Sequence, residues 1–206
     1  SVHVFPSVPK AQRPPRRPAI TRGGGTPAAP ITEPVAGWDV KAICTRARRE
    51  GNSYVLDGTK LYITNGVHAD LYCVAAKTDP SAGIHGITMF IVEKGTPGFN
   101  VARQLDKHGW RSSDTAELVF DGCRIPAENV LGAEGQGFYS IMRNFQNERL
   151  VLAAMAIGAA EAAIDMTLAW VKTRRAFGGV LWDMQAIRER LAMLSAKVEA
   201  GRQFLY

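Results

Sequence analysis

The segment SYVLDGTKLYITNG, residues 53–66, followed after four residues by LYCVAAK, residues 71–77, decides how the chain is read. Its β-branched and aromatic residues come in short runs, at 54–56, 60–64 and 71–77, each bounded by residues that favour chain reversal. Asp57-Gly58 and Asn65-Gly66 supply the left-handed backbone that tight turns require, so the spacing predicts short strands joined by turns. The texture recurs at 87–92 and at 117–120, the latter followed by Asp121-Gly122. Strands of this length at these intervals predict an antiparallel β-barrel or sandwich.

Working outward, Pro126 closes the strand-rich region, and Gly132, Gly135 and Gly137 form a hinge. Residues 136–173 contain no proline and are rich in Ala, Leu, Met and Glu, which predicts a helix roughly 55 Å long. Ala176-Phe177-Gly178-Gly179 breaks it, and a second helical pattern runs from about residue 183 to the end. Two helices cannot bury their apolar stripes alone, so they read as the start of an incomplete helical bundle. The expected class is α+β.

On the other side, residues 1–30 hold seven of the eleven prolines together with Gly23-Gly24-Gly25. Without periodicity such a stretch cannot order itself, and it reads as a flexible leader, non-native in origin. The expected organisation is therefore a leader over 1–30, a β-domain over 31–132 and the beginning of a helical domain over 133–206. The formal net charge is +6, but Lys10, Arg13, Arg16, Arg17 and Arg22 lie in residues 1–32 with no acid among them. The rest is near neutral with its charges interspersed, which argues against nucleic-acid binding. Cys44, Cys73 and Cys123 are far apart with no metal-ligand spacing, so no metal is expected and the thiols read as buried or half-buried. No uninterrupted apolar run approaches the ~20 residues of a membrane span.

One carboxylate is out of place. The apolar seam of the long helix runs Phe138, Ile141, Phe145, then Leu152, Met155, Ala159, Ala162, Met166 and Trp170, and the gap in it falls on Glu148. A carboxylate on a core-facing stripe loses hydration, which raises its pKa toward neutrality and suits it to act as a general base. The bland alternative, that Glu148 pairs with an arginine or turns outward, stays open on periodicity alone.

Taken together, five stretches resemble acyl-CoA dehydrogenases from residue 31 onward. Ile31-Thr32-Glu33-Pro34-Val35-Ala36-Gly37-Trp38-Asp39 is similar to the family's T-E-P-x-A-G-S-D signature, and Leu61-Tyr62-Ile63-Thr64-Asn65-Gly66 to its W-I-T-N-G strand. Phe90-Ile91-Val92-Glu93 through Leu131-Gly132, Asn147-Glu148-Arg149-Leu150, and Arg174-Arg175-Ala176-Phe177-Gly178 follow in the expected order. The resemblance is to the isovaleryl-CoA and other branched- or long-chain members, and it covers a partial chain.

The resemblance implies FAD as cofactor, contacted by Ile31, Thr32, Trp38, Tyr62, Ile63 and Thr64. Arg174, Phe177, Met184 and Gln185 would reach the FAD of a neighbouring subunit in a homo-oligomer, a tetramer in the full-length form. Arg149, His85, Tyr139, Gln146 and Asn147 would line the acyl-CoA site. Glu148 would take the α-proton of the thioester while the β-hydrogen leaves as hydride to flavin N5, giving the trans-2-enoyl-CoA. Electrons would pass to an electron-transfer flavoprotein. The implied location is cytoplasmic in a bacterium and the mitochondrial matrix in a eukaryote. Trp38 departs from the family's small Ser, and its indole is expected to crowd the site. The alternatives are a flavin oxidase or monooxygenase of the same fold, and a truncated, catalytically silent fragment.

Overall fold

The computed structural model describes residues 25–205. They divide into a sheet unit ending at Asn144 and a helical unit beginning at Phe145.

The sheet unit contains strands β1 (Pro27–Ala28), β2 (Arg46–Glu50), β3 (Ser53–Thr64), β4 (Leu71–Lys77), β5 (Ile87–Glu93), β6 (Phe99–Gln104) and β7 (Thr115–Pro126). They form one curled sheet in the order β1-β4-β2-β3-β7-β6, with β5 paired to β4. The long pairings are antiparallel: β3 with β7, β4 with β5, and β6 with β7. Two short parallel contacts, β1 with β4 and Arg46 opposite Lys77, make the sheet mixed. The α+β class stands.

Two expectations fail locally. Asp57-Gly58 does not reverse the chain, because β3 runs unbroken from Ser53 to Thr64. Its partner β7 likewise runs through Asp121-Gly122. The two pairs face each other as irregularities in the ladder: the register slips between Leu56 and Gly58, and Gly122 N–H donates to Asp57 Oδ1 at 2.7 Å. An Asp-Gly pair supplies the geometry of a bulge as readily as that of a hairpin. The leader boundary also shifts. Pro27 and Ala28 pair with Leu71 and Tyr72, Ala28 is buried, and Ala75 N–H donates to Pro30 C=O at 3.1 Å. Residues 1–24 of the expected leader lie outside the described residues.

The core gathers Tyr54, Leu56, Tyr72, Val74, Phe90, Val92, Leu118, Phe120 and Ile125. Tyr72 stands edge-on to Phe99 at 4.5 Å, and Phe99 stacks on Phe120 at 5.0 Å. The Tyr72 hydroxyl donates within reach of Gly66 and Ala69 C=O, both at 3.0 Å, and burial pushes its pKa up to about 12. Cys73 and Cys123 are buried as expected, while Cys44 is exposed.

Helix α1 (Gly137–Thr173) starts in the sheet unit and continues into the helical unit. A two-stranded hairpin follows, β8 (Arg175–Ala176) and β9 (Gly179–Val180), then α2 (Gln185–Gln203). The hairpin turns on Phe177 and Gly178, both with positive φ (51° and 84°), the geometry of a two-residue turn matching strand twist. Within the helical unit α1 faces α2 through Ile157, Glu161 and Ile164. Glu161 pairs with Arg202, and Ile157 sits against Gly201 so closely that a Cβ there would lie 2.6 Å from it.

From residue 152 on that stripe is not the predicted one, whereas at the start of the predicted seam Ile141 is buried and Phe138 and Phe145 are half-buried. Leu152, Met155, Met166 and Trp170 are exposed, and the packed positions lie two residues on, about 200° around the helix. Residues 150–160 are apolar on every side, so periodicity had no way to choose a face. By length and mean hydropathy α1 is also apolar enough to cross a membrane, which a count of uninterrupted apolar residues did not register.

Candidate active site

Two segments of the sheet unit lie side by side at one end of β3. Leu61 N–H donates to Thr32 C=O at 2.9 Å, which joins the 31–38 loop to the last turn of the strand. The loop closes on itself through Glu33 and Ala36, each donating to the other's carbonyl (2.8 and 3.2 Å). Tyr62 has φ 60°, a left-handed residue at a second register slip between Lys60 and Ile63. That kink swings its ring outward, 65% exposed, while Ile63 turns into the core. Thr64 is exposed and Thr32 half-buried.

Trp38 does not crowd this end. It is 99% exposed at the loop tip, because the Glu33–Ala36 turn carries residues 37–39 away from the sheet. Ile31 and Ile63 are buried, so only their backbone is presented. What this end presents is the outward Tyr62 ring with the hydroxyls of Thr32 and Thr64. That donor set fits a planar heterocycle with polar edges, which is the chemistry FAD would bring.

Under this surface lies a pair that the residue pattern did not single out. Lys60 Nζ donates to Glu33 Oε1 at 2.8 Å and to Ile31 C=O at 3.0 Å, with side-chain exposures of 0% and 2% for Lys60 and Glu33. The Glu33 carboxylate also accepts Cys44 N–H at 2.5 Å and Thr45 N–H at 3.0 Å. Burial alone would raise the Glu33 pKa, but the Lys60 charge and these hydrogen bonds outweigh it and hold the carboxyl low. Burial pushes Lys60 down to about 8, against the pull of Glu33. The attraction thus offsets dehydration of the ammonium without exceeding it. Such a pair adds little net stability: apolar replacements of both partners are often neutral or stabilising by about 1–4 kcal/mol, whereas removing one partner costs about 3–5 kcal/mol. The only sequence signal was a lysine among the apolar residues of a strand.

Two of the expected substrate-site residues meet within the sheet unit. His85, on the short turn before β5, and Tyr139, in the first turns of α1, have ring centroids 5.9 Å apart at 45°. Gly135, with φ +76°, brings the chain over that turn: a Cβ there would lie 2.6 Å from His85 C=O.

The remaining candidates belong to the helical unit. Gln146, Asn147, Glu148 and Arg149 follow one another on α1, and all four are exposed. The burial premise for Glu148 is therefore not met in this chain, since it stands exposed where the covered start of the seam gives way to its open part. Arg174 lies over the Trp170 ring at 5.7 Å, and its carbonyl accepts Leu181 N–H at 2.9 Å. Phe177 projects from the hairpin turn, Met184 is half-buried and Gln185 opens α2. Among the described residues no cluster of His, Cys, Asp or Glu could hold a metal ion.

Residues 28–123 match the acyl-CoA dehydrogenase middle domain and residues 135–206 its C-terminal domain. The chain belongs to the acyl-CoA dehydrogenase family. It is 43% identical over 189 residues to the mitochondrial isovaleryl-CoA dehydrogenase of Oryza sativa subsp. japonica, covering 92% of this chain and 46% of that protein. The solved butyryl-CoA dehydrogenase of Megasphaera elsdenii superposes with a TM-score of 0.93 at 42% identity, over 96% of this chain and 52% of its own. A solved FAD-dependent dehydrogenase superposes at 0.92 and 33% identity, over 97% and 54%. The chain thus spans about half the length of the relatives it matches.

Proposed function

We propose that this chain carries the flavin-facing sheet and the catalytic base of an enzyme that α,β-dehydrogenates an acyl-CoA thioester. The observation that carries the reading is the bond from Leu61 to Thr32, which joins the 31–38 loop to the stretch bearing the outward Tyr62 ring and the Thr64 hydroxyl. Ile31 and Ile63 contribute backbone, and Arg174, Phe177, Met184 and Gln185 approach the cofactor from a neighbouring subunit of a homo-oligomer. FAD held by these residues would supply a two-electron acceptor for the hydrogen that leaves the substrate's β-carbon.

Glu148 takes the α-proton. A carboxylate is a weak base for a C–H bond, so it needs dehydration on substrate binding, which removes the stabilisation of its charge. The exposed seam on which it sits is the surface expected to be covered in the assembled enzyme. Arg149, one residue on, supplies a guanidinium suited to the phosphates of CoA. His85 and Tyr139 of the sheet unit, and separately Gln146 and Asn147 of the helical unit, are the residues assigned to acyl-CoA. An electron-transfer flavoprotein reoxidises the enzyme. Kinship with isovaleryl-CoA dehydrogenase favours a short branched acyl group.

The test is spectroscopic. The purified chain is incubated with FAD, freed of excess by gel filtration and scanned. A retained flavin band that bleaches anaerobically with isovaleryl-CoA supports the reading in full. A colourless protein peak removes cofactor binding from this chain.

A further inference from the structure

We infer that the buried Lys60–Glu33 pair is a positioning clamp, which fixes the 31–38 loop against residues 61–64 and so sets the surface offered to the flavin. The inference rests on the reading of that surface as the flavin-binding one.

Three separate pieces of backbone converge on these two side chains. Lys60 is anchored on β3, two residues before the outward Tyr62, and reaches Ile31 C=O at 3.0 Å. Glu33, in the loop, accepts Lys60 at 2.8 Å, and its carboxylate takes the N–H groups of Cys44 and Thr45 where the chain enters β2. Both ends of the 31–45 excursion are thereby tied to one point beneath the sheet surface. The loop's other hydrogen bonds are the two of the Glu33–Ala36 turn and one from Leu61 to Thr32, with Ile31 and Ala36 buried beside them. Its tip, with Val35 and Trp38, is open to solvent.

The energetics point the same way. A dehydrated ion pair is a poor source of stability when apolar side chains of similar size could fill the space. What it offers instead is direction: four hydrogen bonds with fixed angles, three of them to backbone groups, which an apolar pair does not provide. The pair is therefore expected to matter more to where the loop stands than to whether the sheet folds.

The double variant Glu33→Leu/Lys60→Met removes both charges, so no unpaired charge is left buried. It is compared with the unaltered chain by amide hydrogen exchange and by FAD titration, well below the unfolding temperature. The clamp predicts at least tenfold faster exchange at residues 32–38 and 61–64, with unchanged exchange at 71–77, and at least tenfold weaker FAD binding. Exchange and FAD affinity both within twofold of the unaltered chain would overturn it. A double variant that does not fold also overturns it, because the pair would then serve the whole sheet. If the unaltered chain takes up no FAD, the flavin reading fails, and the exchange result still decides whether the pair holds the loop.

Discussion

The Tyr54 hydroxyl donates to Glu134 Oε2 at 2.7 Å, joining the start of β3 to the loop that launches α1 across 80 residues of sequence. Burial, with Glu134 beside it, raises the Tyr54 pKa above its ordinary value. The bond ties the segment before α1 to the sheet and so holds the first turns of that helix, with Tyr139, near the turn that carries His85.

Removing it tests that tie. Tyr54→Phe keeps the ring, which packs on Phe90 at 5.0 Å, and deletes only the donor. We expect a loss of about 1–2 kcal/mol in urea unfolding, between a neutral hydrogen bond and one to a charged group. A change below about 0.3 kcal/mol would show that water replaces the hydroxyl without cost.

Glycine at 98 is required by space as well as by backbone. Its φ is +82°, and a Cβ there would lie 2.5 Å from Asp121 C=O and 2.8 Å from the Cys123 backbone. Gly98→Ala should therefore cost more than the ~1–2 kcal/mol of a left-handed alanine. At about 2–4 °C per kcal/mol for a chain of this size, melting should fall by at least roughly 3 °C. An unchanged melting temperature would mean that β6 shifts away from β7 freely.

Acid should loosen the 31–45 region first. The folded-state pKa of Glu33 lies below its ordinary 4.5, so its contribution to stability is fully present above the unfolded value. That contribution is lost as pH falls through the folded value. Glu33→Gln should flatten the stability profile below pH 4.5 relative to the unaltered chain. Identical acid limbs in the two proteins would assign acid sensitivity to other carboxylates.

Glu148→Gln is expected to lower kcat of the assembled, flavin-loaded enzyme by about 10²–10⁴-fold, the usual share of a general base. FAD binding should stay within twofold. Turnover near the unaltered level would remove Glu148 from the chemistry.

The strands, the long helix and the break at 176–179 were legible because each rests on local rules, namely period, turn residues and helix propensity. The Asp57-Gly58 and Asp121-Gly122 pairs misled because the conformation they permit is common to turns and bulges, and only the partner strand decides between them. The side of α1 that packs on α2 was illegible for the opposite reason: an all-round apolar stretch carries no directional signal. Trp38 was read through the small residue that relatives carry there, whereas the Glu33–Ala36 turn points it outward. The Lys60–Glu33 pair joins residues 27 apart, and the lysine's place among apolar strand residues does not by itself name its partner.

Cys44 is the exposed thiol of three, and its own N–H is held by Glu33. Cys73 and Cys123 are sealed in the core, with burial raising their pKa values to about 12 and about 11. A maleimide dye should consequently attach at one place in the native protein, with no engineered cysteine. The fluorophore would sit at the foot of the loop that bears Trp38, so its anisotropy would record that loop's motion as cofactor is added.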